Sequence, residues 1–171
     1  TTRGKLFTMP LWEEAPRQYG ERQGVRYRHA SWLHDDSALV CLSDQGGEEA
    51  LEIHPVDPLK PIQRLDDLTY AGESLGEASG APNLGRAVAF AVSPVKQEVL
   101  LGNHRHELIR VDLETKTATQ LDRSPVARIE GIAISADGRW VAYDFPRTAE
   151  TAQIKVYDLK ENAVHEVTRP D

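Results

Sequence analysis

The sequence predicts an all-β protein made of β-propeller blades, and two observations support this fold class. First, three segments repeat one pattern, at residues 29–66, 88–122 and 129–168. Second, each segment holds four short apolar or alternating stretches separated by polar turns, which is typical of a four-stranded antiparallel meander. Four such strands in about 40 residues are the signature of one propeller blade.

The repeats align on the apolar residue that ends the first strand of each unit, namely Trp32, Val92 and Ile134. A polar turn follows each of them. The turn Ser135–Gly138 has the Ser-Ala-Asp-Gly composition that joins antiparallel strands, because glycine can adopt positive φ. Helical solenoids have similar periods, but they need apolar residues at helical spacing over ten or more residues, and the chain has no such stretch. Strands therefore fit the repeat better than helices.

The aligned repeats divide the chain into a half blade, three blades and one insertion. Val92 and Ile134 are 42 residues apart, whereas Trp32 and Val92 are 60 apart. The excess falls in a Gly-, Ala-, Ser- and Glu-rich stretch without an apolar period, which predicts an inserted surface loop. The predicted units are a half blade at 5–20, blades at 25–67, 84–125 and 126–171, and the inserted loop at 69–83. About three and a half blades predict an incomplete six- or seven-bladed propeller that other blades complete.

Composition excludes several classes of function. The 171 residues include 20 basic and 27 acidic ones, for a net charge of −7, and no basic run, so nucleic acid is not an expected partner. No stretch approaches the ~18 apolar residues of a membrane helix, so no membrane association is expected. The single cysteine, Cys41, cannot form an internal disulfide or a cysteine-based zinc site, and its apolar neighbours predict a buried structural thiol.

Two histidines in the stretch GNHRHELIRVDL, residues 102–113, raise the question of a metal site. On a regular strand, His104 and His106 would share one face and could share a divalent ion, but a zinc site needs at least a third protein ligand. The alternative is the tight connection between the second and third strands of a blade. This hairpin is the shortest of the three aligned hairpins between second and third strands, which favours a tight turn over a metal site. No metal or other cofactor is therefore predicted.

Nucleophilic catalysis by this chain is not predicted either. None of its serines lies in a G-x-S-x-G elbow or another activating context. Ser43 and Ser135 are interpreted as turn residues whose hydroxyls bind local backbone.

Trp12, Trp32 and Trp140 are expected to pack between blades, where large aromatic side chains fill the wedge-shaped space between neighbouring sheets.

Three phrases of the sequence resemble consecutive blades of the second, seven-bladed propeller of tricorn-type peptidases. They are WLHDDSALVCLSDQGGEEALEIH at 32–54, GNHRHELIRVDLET at 102–115 and RIEGIAISADGRWVAYDFPRTAETAQIKVYDL at 128–159. The Ser-x-Asp-Gly turn and the Ser43-Asp44-x-x-Gly47 turn are shared more broadly by TolB-like propeller repeats. The resemblance covers nearly the whole chain apart from the insertion.

The resemblance implies a soluble, cytoplasmic serine peptidase that trims oligopeptides and assembles as homo-oligomers. In that family the catalytic residues lie in domains that follow the propeller, so no catalytic residue is carried over to this chain. The implied partners are the remaining propeller blades and the catalytic domains of the parent chain, together with oligopeptides that pass through the propeller channel. This segment itself is expected to be non-catalytic and to serve oligopeptide substrate access, filtering or assembly in proteolysis. A TolB-like protein-interaction scaffold without peptidase activity is the alternative.

Five side chains are candidates for contact with a peptide in such a channel: Arg26, Arg28, His104, Arg105 and Arg128. The strands nearest a propeller axis and the loops that enter them line its channel. Guanidinium groups there could bind a peptide carboxylate in a bidentate manner. The alternative for the arginines is a solvated loop charge or an ion pair between blades.

Overall fold

The computed structural model describes residues 4–13, 15–20, 22–71 and 83–168. The strands of these residues form four sheets. Every pairing between neighbouring strands is antiparallel except one, which is parallel. The fold class predicted from the sequence is confirmed: the described chain is a partial β-propeller of about three and a half blades. It contains no helix long and apolar enough to cross a membrane.

Three of the sheets are blades, each of which is an antiparallel meander in chain order. Blade 1 consists of β3 (Tyr27–Trp32), β4 (Ala38–Ser43), β5 (Ala50–Pro55) and β6 (Gln63–Leu65). Blade 2 consists of β8 (Ala87–Val92), β9 (Glu98–Asn103), β10 (Glu107–Asp112) and β11 (Thr117–Arg123). Blade 3 consists of β12 (Ile132–Ile134), β13 (Trp140–Pro146), β14 (Ala152–Asp158) and β15 (Ala163–Glu166).

Two further elements lie outside these meanders. The half blade is the hairpin of β1 (Leu6–Thr8) and β2 (Arg17–Tyr19). Strand β7 (Thr69–Ala71) pairs in parallel with β11 and adds a fifth strand to the outer edge of blade 2. The prediction that residues 69–83 form a loop is therefore wrong for 69–71, because the edge of β11 offers these residues backbone partners far along the chain. Residues 72–82 lie outside the described residues.

The core lies between the sheets. Every residue of β4 and of β9 is buried, as expected for second strands that are covered on both faces. One apolar cluster joins blades 1 and 2, a second joins blades 2 and 3, and a third joins the half blade to blade 1. Cys41 belongs to the third cluster and is fully buried, and burial raises the pKa of its thiol to about 12. It is the structural thiol that its apolar neighbours predict.

Glycine is required at two positions where elements meet. A Cβ on Gly102, in β9, would lie 2.2 Å from the carbonyl oxygen of Ile129, so only glycine lets blade 3 approach blade 2 there. Gly138 has a φ of 69° in the turn predicted for it, and a Cβ would lie 2.2 Å from the Val95 side chain of blade 2. Both glycines therefore allow close approach between neighbouring blades.

The three tryptophans do not all fill the wedge between blades. Trp12 is 86% exposed, so the prediction that it packs between blades is wrong. Trp32 is 39% exposed and contacts the Tyr19 ring edge to face, so the prediction is met only in part. Trp140 is half-buried, beneath the guanidinium of Arg139. Trp12 lies in the connection between β1 and β2.

Candidate functional site: the cleft at the starts of the innermost strands

The first strands of the three blades lie side by side. Strand β8 contacts β3 on one side and β12 on the other. In a propeller such strands are the innermost ones and face the central axis. Because each blade is an antiparallel meander, the start of its first strand lies at the same end as the connection between its second and third strands.

That end carries an open cleft of about 900 Å³, which we call the entrance cleft. It spans blades 1 and 2 and reaches the segment before β12. Its lining residues are Arg28, His29, Glu48, Arg86, Ala87, Val88, His104, His106 and Arg128. Three of the five side chains predicted to contact a peptide, Arg28, His104 and Arg128, therefore line one cleft.

Arg28 joins blade 1 to blade 2. Its Nη2 donates to Glu49 Oε1 at 2.5 Å and to the carbonyl oxygen of Ala87 at 2.9 Å, while Glu49 Oε2 accepts from the Ala87 amide at 3.0 Å. The Arg28 side chain is 18% exposed, and its Nε is buried without a partner among the described residues. The guanidinium thus forms an ion pair within blade 1, and both members of that pair are hydrogen-bonded to the backbone of Ala87 in blade 2.

His29 forms the wall of the entrance cleft next to Arg28. Its φ of 48° is unusual for a residue with a side chain and marks the irregularity in the pairing of β3 with β4. The ring stacks on Phe90 of blade 2, with the centroids 6.0 Å apart. Burial, and secondarily the positive charge of Arg28, lower the pKa of His29 below its ordinary value, so the ring is neutral near pH 7.

His104 is held by the backbone of Arg86. The His104 amide donates to the Arg86 carbonyl oxygen at 2.9 Å, and the Arg86 amide donates to His104 Nδ1 at 2.9 Å. The same arrangement recurs in blade 1, where the Asp44 amide donates to the Arg26 carbonyl oxygen and the Arg26 amide donates to Asp44 Oδ1 at 2.8 Å. Arg26 and Arg86 therefore occupy equivalent positions in neighbouring blades.

Arg26 does not line the entrance cleft but lies beside it. A smaller cleft of about 270 Å³ is lined by Arg26, Asp44, Gly47, Glu48, Glu49 and Arg86. Arg86 and Glu48 border both clefts, so the two form one continuous surface at this end of the innermost strands.

Arg105 is turned away from the entrance cleft. Its Nε donates to Glu107 Oε2 at 2.9 Å, and its Nη1 and Nη2 donate to the side chain and backbone of Asn83 at 3.0 and 2.7 Å. Glu107 is 2% exposed and also accepts from Asn103 Nδ2 at 2.6 Å. Arg105 therefore neutralises a buried carboxylate and ties down the segment that leads into blade 2.

His104 and His106 lie in the turn between β9 and β10, which consists of residues 104–106. This is the tight connection that the short hairpin predicts. His106 closes the turn with a φ of 68°, and its amide donates to the Asn103 carbonyl oxygen at 3.1 Å. Both histidines border the entrance cleft. Within residues 4–13, 15–20, 22–71 and 83–168, no three His, Cys, Asp or Glu side chains come together as a possible metal site.

Three arginines of the entrance region have no ion-pair partner among the described residues. The two clefts contain the guanidinium groups of Arg26, Arg86 and Arg128 together with the carboxylates of Asp44, Glu48 and Glu49, and none of the three arginines forms an ion pair with a described residue. Arg26 and Arg128 are exposed, as is Arg86. Such groups are available to bind a carboxylate or another anion.

Sequence reasoning missed Arg86 and His29 as residues of this surface. The signal for Arg86 was present, because Arg26, Arg86 and Arg128 each lie six residues before the aligned landmarks Trp32, Val92 and Ile134. No pattern in the sequence indicated His29, since its orientation depends on the backbone irregularity in β3.

Comparison with known proteins identifies one family for the whole chain. The family described as the tricorn protease second β-propeller domain matches residues 1–171. Among curated proteins, the tricorn protease homolog 1 of Streptomyces coelicolor is 27% identical over 147 residues, which is 85% of this chain and 13% of that protein. The tricorn protease homolog of Saccharolobus solfataricus is 26% identical over 177 residues, or 99% of this chain and 14% of that protein.

Solved structures show the same fold. A crystal structure of the tricorn protease superposes with a TM-score of 0.77 at 22% identity, over 100% of this chain and 15% of that one. A TolB structure from Agrobacterium tumefaciens superposes with a TM-score of 0.68 at 14% identity, over 99% of this chain and 56% of that one. The chain thus spans less than a fifth of the length of the tricorn relatives that it matches.

Proposed function

Since this chain belongs to the tricorn protease second β-propeller domain family, we propose that it is a non-catalytic propeller segment that guides oligopeptides into or out of a tricorn-like peptidase. The entrance cleft and the smaller cleft beside it form the peptide-contacting surface. Arg86 and Arg128 bind the carboxylate of a passing peptide, and Arg26 extends the same surface to the next blade. Arg28 lines the same surface but is already paired with Glu49, and Arg105 stabilises the segment that leads into blade 2.

One observation supports this proposal most strongly. The starts of two neighbouring innermost strands carry Arg26 and Arg86 at equivalent positions, and Arg128 lies four residues before the start of β12. These three guanidinium groups form no ion pair with a described residue. Exposed arginines that have no internal ion-pair partner are free to bind an anion from solution. A peptide with a free carboxylate, or with acidic side chains, is such an anion.

We further propose that the parent protein is a cytoplasmic serine peptidase that acts as a homo-oligomer, with its catalytic residues in other domains of the same chain. The family membership supports a role in proteolysis rather than that of an independent TolB-like scaffold. The likeness to TolB structures, at 14% and 16% identity, reflects the shared fold alone.

A kinetic experiment on the full-length protein tests the proposed function. Two versions of one fluorogenic oligopeptide, with a free and with an amidated C-terminus, are compared as substrates of the wild type and of the double variant Arg86→Glu/Arg128→Glu. Reversal of two charges that contact the carboxylate lowers kcat/KM for the free acid by about tenfold and leaves the amide almost unchanged.

The control is Lys160→Glu, a change of the same kind in the exposed connection between β14 and β15, at the opposite end of blade 3. It leaves kcat/KM for both peptides at the wild-type value. Equal kinetics of the wild type and the double variant toward the free acid would refute the proposed peptide contact.

A further inference from the structure

A second groove lies away from the entrance cleft, between the half blade and blade 1. We call it the side groove; its volume is about 400 Å³. One wall is β2 with the residues that follow it, and the other is β5 with the connection to β6. Its lining residues are Arg17, Gln18, Tyr19, Gly20, Arg22, Tyr27, Gln45, Glu52, His54, Pro55, Asp57, Pro58, Lys60 and Ile62.

The floor of the side groove is aromatic. His54 meets Tyr19 and Tyr27 edge to face, with ring centroids 6.0 and 5.8 Å apart, and all three side chains are buried. Such a floor accepts an apolar side chain.

The one buried carboxylate in the floor is already neutralised. Glu52 accepts from His54 Nε2 at 3.1 Å and from Arg64 Nη1 at 3.2 Å. Burial raises the pKa of Glu52, but the hydrogen bonds from His54, Ser43 and Arg64 outweigh that effect and lower it overall. The Glu52 charge is therefore compensated inside the protein and does not repel an acidic ligand strongly.

The rim of the side groove is cationic. Arg17, Arg22 and Lys60 are exposed there, and within the described ranges none of them forms an ion pair. Arg17 is held in place because its guanidinium lies 4.8 Å from the Tyr19 ring centroid and its Nη1 donates to the Val56 carbonyl oxygen at 2.8 Å. Apart from Glu52, Asp57 is the only carboxylate among the described residues that line the groove. The rim is thus complementary to an acidic partner.

The backbone edge of β2 faces the side groove. Four consecutive residues, Arg17 to Gly20, line it, and side chains alone cannot produce such a run because they alternate between the two faces of a strand. Among the described residues, β2 pairs only with β1, so its other edge has no strand partner there. Blade 2 shows that an outer edge of this fold accepts a further strand, since β7 adds to β11.

The connection that borders the side groove also differs from its equivalents in the other blades. Between β5 and β6 it exposes three apolar side chains, Val56, Leu59 and Ile62, at 41%, 91% and 54%. The corresponding connections of blades 2 and 3 are short and expose polar residues: Glu114 and Thr115 in one, and Lys160 and Glu161 in the other. Blade 1 alone among these three departs from the polar pattern, which points to a partner surface.

We propose that the side groove binds an extended acidic peptide segment, which pairs with the edge of β2, inserts one apolar side chain over Tyr19 and His54, and places acidic side chains against Arg17, Arg22 and Lys60. This is recognition by strand addition: backbone hydrogen bonds supply affinity, and the aromatic floor and cationic rim supply specificity. The proposed partner is a protein segment that docks on the outside of the propeller, distinct from peptides that pass through the entrance cleft.

The test uses the full-length protein and a fluorescein-labelled hexapeptide, Glu-Asp-Leu-Phe-Asp-Glu, in a fluorescence-polarisation titration. The double variant Arg22→Glu/Lys60→Glu changes two exposed rim residues and leaves the floor intact. It weakens binding of the peptide by about tenfold or more. A peptide of the same sequence with alternate backbone nitrogens methylated binds at least tenfold more weakly than the parent peptide to the wild type, because it cannot complete the strand ladder.

The double variant Lys116→Glu/Lys160→Glu is the matched control, since it carries the same charge change at two exposed connections that border neither the side groove nor the entrance cleft. It binds the hexapeptide as the wild type does. The entrance variant Arg86→Glu/Arg128→Glu is measured in parallel, because the proposed function lets the entrance cleft bind an acidic peptide too. Loss of binding in the entrance variant with retention in the groove variant would overturn the side-groove proposal while supporting the proposed function. Absence of binding to the full-length protein, as would follow if another part of the chain or a second copy filled the groove, would also overturn it.

Discussion

The Arg86 amide donates to Nδ1 of His104, and the His104 amide donates back to the Arg86 carbonyl oxygen, both at 2.9 Å. In blade 1, Arg26 and Asp44 form the same reciprocal pair. The histidine that suggested a metal site is therefore a backbone acceptor that fixes the start of an innermost strand. Its counterpart in the neighbouring blade is a carboxylate, which leads to the first prediction.

Replacement of His104 by alanine removes the side-chain acceptor, so the Arg86 amide loses a bond worth about 1 kcal/mol. We expect faster hydrogen exchange of the backbone around Arg86 in the full-length protein, measured by mass spectrometry. His104→Asp restores the acceptor found at Asp44 and retains wild-type protection. Equal loss of protection in both variants would contradict the acceptor role.

Replacement of Glu49 by alanine leaves the Arg28 guanidinium, 18% exposed, without its carboxylate at the boundary of blades 1 and 2. The expected cost is about 1 to 3 kcal/mol of local stability, because a partly buried charge loses its partner and the Ala87 amide loses its acceptor. Hydrogen exchange across β3 and β8 measures it. Glu48→Ala, a change at the exposed neighbouring residue, is the control and leaves the exchange rates unchanged.

Acidification loosens the same boundary through His29. Its pKa in the folded state is below the unfolded value of about 6.5, so the unfolded chain binds more protons as the pH falls. The stability that the neutral ring contributes is present above about pH 6.5 and is lost progressively below it.

Hydrogen exchange of β3 and β8 in the full-length protein, corrected for intrinsic rates, checks this at pH 7.5 and pH 5.5. His29→Asn removes the titrating group while asparagine tolerates the positive φ. Its exchange therefore varies less with pH than that of the wild type. An identical pH dependence in the two proteins would rule out His29 as the source.

Tyr143 links blade 3 to blade 2 by donating its hydroxyl to Asp122 Oδ2 at 2.6 Å, beside the Lys155 ammonium at 3.1 Å from the same oxygen. Tyr143→Phe removes this bond and is expected to destabilise the boundary by about 1 to 2 kcal/mol. Tyr157→Phe is the matched control, because the Tyr157 hydroxyl has no hydrogen-bond partner among the described residues. Unequal effects in hydrogen exchange of β11 and β13 support the linkage, and equal effects contradict it.

The repeat alone predicted the blades, because hydrophobic alternation and turn composition are local signals that recur in each unit. It also predicted that His104 lies in a turn. The parallel pairing of β7 with β11 could not be predicted, since Thr69–Ala71 finds its partner at Thr117–Thr119, far along the chain. The exposure of Trp12 likewise could not be predicted, since burial of a residue in a strand connection depends on which elements pack against it.

The surface at the entrance cleft was predictable in part. Residue type and nearness to the innermost strands indicated Arg26, Arg28 and Arg128, and the alignment of the repeats could have indicated Arg86. Which arginines are committed to internal partners could not be read from the sequence, because Arg28 and Arg105 pair with Glu49 and Glu107 only through the fold.

A structure of the full-length protein determined by electron cryomicroscopy with an uncleaved oligopeptide tests the central claim most directly. We expect β3, β8 and β12 to line the channel of a closed propeller, with the peptide carboxylate within hydrogen-bond distance of the Arg86 or Arg128 guanidinium. A closed ring in which the entrance cleft is sealed by another domain, with the peptide route elsewhere, would contradict the account.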